Sequence, residues 1–175
     1  MSDGPEIRIG ETPDHAVELA VEAWREALEG GTPDVPRRVL LPGGSTPESL
    51  YRTLSEPGRF PAAYWRTIEC FLGDERCVVP DHPESNFRMI RRSLLEPLGP
   101  NAPRVHRIHG EDSDPEHAAR EYETLLRSRF QTPMRTMPSF DLALQGLGAD
   151  GHTASLFPGA APEIKRLVVV ATHPG

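Results

Sequence analysis

The residues best suited to chemistry fall in one short stretch, Gly146-Leu147-Gly148-Ala149-Asp150-Gly151-His152-Thr153-Ala154-Ser155. A single glycine separates Asp150 from His152. A carboxylate beside a histidine can fix the imidazole tautomer and raise its basicity, which suits activation of a water molecule. Gly148 and Gly151 free the backbone around the pair, and N–H groups between them are candidate donors to an oxyanion. The competing reading of His152 is a helix-capping histidine; the glycines and Asp150 favour a catalytic base. Ser155 lies in no Gly-x-Ser-x-Gly elbow, so it is expected to be a hydroxyl in the first turn of a short helix rather than a nucleophile.

Two further turns carry polar groups. In Gly43-Gly44-Ser45-Thr46-Pro47 a strand leads through two glycines into a helix start. Glycines let the backbone approach an anion, the helix N-terminus supplies unpaired N–H groups and partial positive charge, and two hydroxyls add donors. That is a way to hold phosphate. A plain turn capped by Ser45 or Thr46 fits this motif equally well. In Gly73-Asp74-Glu75-Arg76 the guanidinium could grip phosphate in a bidentate fork and Asp74 could orient a water or a sugar hydroxyl. Taken alone, that cluster reads more readily as surface ion pairing. Asn86 and Arg88 open the next helix and could face the same cleft. With Arg91 and Arg92 they could equally form a solvated face. No metal site is expected, because His15, His82, His106, His109, His117 and His173 show no ligand-like spacing. Cys70 and Cys77 read as free thiols.

The elements that must position these turns can be read from periodicity. Ile7–Ile9 reads as a short strand. Thr12 and Pro13 open a helix whose apolar residues Ala16, Leu19, Ala20, Ala23, Trp24, Ala27 and Leu28 share one face, ending at Gly30-Gly31. Strands are expected at Val39–Leu41, Ile68–Leu72, Val105–Ile108, Phe140–Leu144 and Leu167–Ala171. Helices are expected at Pro47–Leu54, Asn86–Leu95 and Pro115–Phe130, the last opened by Ser113 or Asp114, with a short one after the Gly146–Gly151 turn. Alternating strands and helices imply right-handed crossovers. The expected fold is a single three-layer α/β domain over residues 1–175, with a mostly parallel, Rossmann-like sheet covered by helices on both faces. Ligands of such sheets bind beyond the carboxyl ends of the strands, where all three turns lie.

Bulk composition narrows the function classes. A chain of 175 residues with 37% hydrophobic and 26% charged residues can build an ordinary globular core. Its formal net charge of −7 argues against nucleic-acid binding and means that an anionic substrate must be drawn by local donors. No apolar run approaches the roughly 18 residues that span a bilayer, and the acidic N-terminus lacks a secretory h-region. A cytoplasmic protein, with a monomer favoured, is the expectation. Leu167–Ala171 is a buried-type strand with only four residues after it, so either the chain is a fragment or that strand lies at an edge.

In this order the three turns resemble the signature of the 6-phosphogluconolactonase and glucosamine-6-phosphate isomerase superfamily, from about the first helix to the last residue. The most specific block, Asp150-Gly151-His152-Thr153-Ala154-Ser155-Leu156-Phe157-Pro158-Gly159, resembles the lactonase branch. Gly73-Asp74-Glu75-Arg76 with Pro80, Ser85-Asn86 and Leu94-Leu95 is the next strongest. The isomerase branch carries a glutamate five positions after the histidine, where this chain has Phe157, and usually an aromatic where this chain has Arg76. The resemblance implies hydrolysis of a sugar-phosphate lactone, 6-phospho-D-glucono-1,5-lactone, without a cofactor. It implies His152 as general base, Asp150 as its orienting partner, and Gly43, Gly44, Ser45, Thr46 and Arg76 as phosphate ligands. Asp74, Asn86, Gly148 and Gly151 are expected to complete the substrate site. It also implies further strand and helix units and a basic, Pro-rich segment beyond His173-Pro174-Gly175. The alternatives are an amino-sugar-phosphate deaminase and a non-catalytic sugar-phosphate sensor. The sensor would need a DNA-binding helix-turn-helix, and none is legible before Arg37.

Overall fold

The computed structural model describes residues 6–131, 136–159 and 166–172. The Thr12 side chain accepts a hydrogen bond from the His15 N–H, and Pro13 takes the first helical position of α1 (Pro13–Ala27). Val21, Trp24 and Leu28 are buried on one side of it. Burying a Val- or Leu-sized side chain contributes about 1.5–3 kcal/mol, so this face anchors α1 to the sheet.

The strands divide the core by their period of two. Val39 and Leu41 of β1 (Arg37–Leu41) and Ile68, Cys70 and Leu72 of β2 (Ile68–Leu72) point to one apolar cluster. Leu40 and Phe71 point to another. The first cluster is covered by α1, by α2 (Ser45–Leu54), by the short α3 (Ala62–Trp65), and by α4 (Asn86–Ile90), which runs on as a π-helical turn over Arg91–Leu95. The second lies under α6 (Pro115–Phe130), beginning at Asp114, whose carboxylate accepts from the Glu116 N–H. Between them come α5 (Glu96–Leu98) and β3 (Arg104–His106). The last strand among the described residues is β4 (Leu142–Ala143).

All pairings are parallel, in the order β3-β2-β1-β4. The chain builds outward from β1 through β2 to β3, then returns to place β4 on the other side of β1. The order therefore reverses at the β1/β4 junction, and crevices outside the strand ends at such a junction are where ligands bind in open α/β sheets. The expected three-layer α/β fold with a parallel sheet is the one observed.

A polar group sits inside the second layer. Glu69, 2% exposed, meets His106 Nε2 at 2.8 Å, the Arg129 guanidinium, and Arg38 Nε at 3.7 Å. Arg38 in turn lies over the Phe130 ring at 4.6 Å. Burial alone would raise the Glu69 carboxyl; the hydrogen bonds from His106 and Arg129 outweigh it and hold the group below the ordinary carboxylate value. A depressed folded value stabilises the fold above the unfolded-state pKa of about 4.3 and is lost as pH falls through the folded value. Glu69→Gln is therefore expected to lower stability at pH 7 by about 1.5–3 kcal/mol, the range for hydrogen bonds to a charged group. Denaturant titrations should show the gap to the parent narrowing as pH drops below about 5. A gap that stays constant would mean that the charge on Glu69 is not its source.

Five expected elements differ. Ile7 and Ile9 are exposed at 79% and 81% and form no strand, since no neighbour offers them a ladder. Leu167–Ala171 is not a strand either: Leu167 and Val168 fold against the α6-side cluster instead of pairing with β4. Val169 thus does not join the sheet beside Leu40, Phe71 and Leu142. Among the described residues no helix follows the Gly146–Gly151 turn; Thr153 and Leu156 exchange backbone hydrogen bonds and close a tight turn, with Ala154 at φ 49°. β3 and β4 are shorter than the expected Val105–Ile108 and Phe140–Leu144. His173 lies outside the described residues.

Candidate active site

The first turn leaves β1 at Leu41. A Cβ on Gly43 would lie 1.8 Å from Asn86 Oδ1, so only glycine lets this loop rest against α4. Gly44, at φ 100°, caps α2, a conformation that side chains disfavour. Ser45 and Thr46 are the first helical residues, exposed, and no side chain caps this end. The capping role considered for them is therefore not the one they play. Their hydroxyls and the first-turn N–H groups sit at the positive end of α2.

The second turn is organised by two carboxylates with different tasks. Glu75 accepts from Asn86 N at 2.7 Å, Phe87 N at 2.9 Å and Ser85 Oγ at 3.1 Å, satisfying the opening N–H groups of α4. Asp74 accepts from Asn86 Nδ2 at 3.1 Å and from Ser155 Oγ at 2.8 Å. The expected surface ion-pair cluster does not form. Among the described residues Arg76 makes no ion pair, and its guanidinium is exposed. Arg91 does pair, with Asp81 and Glu96, as a solvated face would.

The third turn follows β4. His152 Nδ1 lies 2.6 Å from Asp150 Oδ1, and the His152 N–H donates to the same oxygen at 3.2 Å. These bonds, the side-chain one foremost, hold the Asp150 carboxyl below its ordinary value. An ionised carboxylate only accepts, so Nδ1 carries the proton and Nε2 keeps its lone pair. A Cβ on Gly148 would lie 2.2 Å from the imidazole, so that glycine makes room for the ring. Two expected oxyanion donors are spent elsewhere: the Gly148 N–H donates to His152 O at 2.8 Å and the Gly151 N–H to Gly148 O at 2.9 Å. Their role here is to shape the turn. Phe157 packs against His152, ring centroids 5.5 Å apart.

The three turns are tied into one group. Gly43 abuts Asn86, Asn86 holds Asp74, and Asp74 receives Ser155 from the third turn. Ser155 was not legible as part of this group, because its partner lies far away in sequence. Glu75 was legible only as a charge, though the Ser85-Asn86 helix start gives a donor set that needs an acceptor. A cavity of about 510 Å³ adjoins the group under α6 and shares Asp74 and Ser155 with it. Its walls are mostly apolar, and neither His152 nor the α2 N-terminus lines it. His152 and the α2 N-terminus thus lie outside that cavity, while Asp74, Glu75 and Ser155 form part of its wall.

Comparison with known proteins identifies the family. The family described as glucosamine-6-phosphate isomerases/6-phosphogluconolactonase matches residues 11–175. A 6-phosphogluconolactonase of Treponema pallidum is 43% identical over 78% of this chain and 56% of its own length. One of Aggregatibacter actinomycetemcomitans is 33% identical over 93% and 67%. The structure of 6-phosphogluconolactonase from Trypanosoma brucei is 30% identical with a TM-score of 0.79, covering 96% of this chain and 70% of that one. The chain spans about half the length of the first curated relatives it matches. By the extent of the family match, the chain belongs to the glucosamine-6-phosphate isomerase/6-phosphogluconolactonase family.

Proposed function

We propose that this chain carries the reacting groups of a 6-phosphogluconolactonase, hydrolysing 6-phospho-D-glucono-1,5-lactone to 6-phosphogluconate in the cytoplasm. The observation that carries the reading is the linkage of three turns at the switch point of the sheet, with a carboxylate-oriented imidazole in the last. The α2 N-terminus at Gly43–Thr46 and the Arg76 guanidinium hold the phosphate. His152 Nε2 takes a proton from water as the oxygen attacks the lactone carbonyl, and the imidazolium returns that proton to the departing ring oxygen. Asp150 keeps the imidazole in the reactive tautomer. Asp74, fixed by Asn86 and Ser155, orients the water or a sugar hydroxyl. Acyl transfer to water needs no cofactor.

Phe157 separates this reading from the deaminase of the same family. An apolar ring lies beside His152, at the position where the resemblance implies a glutamate for ring-opening chemistry. The test uses the protein at its full encoded length. It should consume the phosphorylated lactone well above the spontaneous rate, turn over unphosphorylated gluconolactone far more slowly, and release no ammonia from glucosamine 6-phosphate. Ammonia release without lactone hydrolysis would reverse the assignment.

A further inference from the structure

A second group of metal-capable side chains lies where the loop after β3 meets α6, apart from the three turns. The Asp112 N–H donates to His109 O at 3.1 Å, so these residues stand at the two ends of one tight turn. His117 and Glu121 follow on α6 with i, i+4 spacing and share a face. Packing then gathers the four. His117 Nδ1 lies 2.7 Å from Asp112 Oδ2, and His117 Nε2 lies 3.9 Å from Glu121 Oε1. His109 Nδ1 lies 3.6 Å from Glu121 Oε2. Asp112, His117 and Glu121 can each bring a ligand atom within 4.8 Å of the others.

The chemistry of the group is specific. Asp112 accepts a hydrogen bond from His117 Nδ1–H and leaves Nε2 facing Glu121, the carboxylate–imidazole pairing that orients metal-binding histidines. Ligands at about 2.0–2.2 Å on a tetrahedral zinc stand roughly 3.3 Å apart. The two imidazole-to-Glu121 separations, 3.6 and 3.9 Å, exceed hydrogen-bond length and lie near that value, and His109 must move towards His117 to close the set, since the residues gathered within 4.8 Å of one another are Asp112, His117 and Glu121. Neighbouring carboxylates are taken by arginines: Glu111 by Arg107, Asp114 by Arg120, Glu116 by Arg166 and Glu123 by Arg127. Glu121 alone of this set is faced by imidazoles.

We propose that His109, His117 and Glu121 bind a divalent transition cation of the zinc class, with Asp112 orienting His117. The site is separate from His152 and independent of the lactonase reading. Bound metal clips the 109–112 turn to α6. The same turn backs the second active-site turn, because Gly110 lies against the Arg76 carbonyl so closely that a Cβ would come within 2.1 Å of it.

The test is zinc titration of the 175-residue chain by calorimetry, with folding checked by circular dichroism. The parent should bind one equivalent at micromolar metal. His117→Ala and Glu121→Ala should weaken binding at least tenfold, and Asp112→Asn about 10–100-fold, the usual cost of losing an orienting partner. His152→Ala removes the imidazole–carboxylate pair of the third turn and should leave the titration unchanged. No binding by the parent, full binding by His117→Ala, or loss in His152→Ala alone would each overturn the site. Unchanged affinity in Asp112→Asn would overturn its orienting role.

Discussion

His152→Gln is expected to lower kcat on the order of 10²–10⁴-fold, the usual contribution of a positioned general base, with KM nearly unchanged. Glutamine keeps a side chain of similar polarity but has no lone pair basic enough to take the proton. The Asp150 hydrogen bond explains why Nε2, rather than Nδ1, does the work. Asp150→Asn would present an amide donor to Nδ1 and favour the wrong tautomer, so it should lose kcat in the same direction. Lactones hydrolyse spontaneously, so that background must be subtracted. A folded His152→Gln protein that keeps near-parental kcat after subtraction would show that another group is the base.

How much of this was legible in the sequence depends on how local the cause is. Thr12-Pro13, Asn86 and Asp114-Pro115 mark helix starts through contacts within a few residues: the first two starts were read as they stand, and Asp114 was one of two candidates for the third, whereas α2 begins at Ser45, two residues before the expected Pro47, with Gly44 rather than a hydroxyl at its cap. The Asp150–His152 pair is as local, and its contact forms at the spacing that suggested it. What failed was non-local. Ile7–Ile9 and Leu167–Ala171 carry strand-like residues, but a strand exists only where a partner ladder accepts it. Ser155 was taken for a helical hydroxyl, whereas its role comes from Asp74 on another strand end. His109 and His117 looked scattered because a tight turn and one helical repeat, not sequence spacing, bring them to Glu121.

Arg76→Ala is expected to raise KM for the phosphorylated lactone by about 10–150-fold while leaving kcat close to the parent. The range follows from about 1.5–3 kcal/mol for a charge-assisted hydrogen bond, at 1.36 kcal/mol per decade. The phosphate remains bound through reaction, so its loss weakens substrate and transition state alike, and such uniform loss falls on KM. Two observations make Arg76 the choice. It is exposed at the second turn without a carboxylate partner among the described residues, so its charge is available. The chain carries a net charge of −7, so a dianionic substrate needs a local cation to be drawn in at all. Arg76→Lys should recover part of the affinity but not all, since the ammonium supplies charge without the planar fork. The decisive comparison uses the unphosphorylated lactone. If Arg76 meets the phosphate, its removal should scarcely alter the already poor turnover of that substrate, and the preference for the phosphorylated one should shrink by the same factor as KM rose. An equal loss on both substrates would place Arg76 against the sugar ring or the carbonyl, and would leave phosphate binding to the α2 N-terminus at Gly43–Thr46.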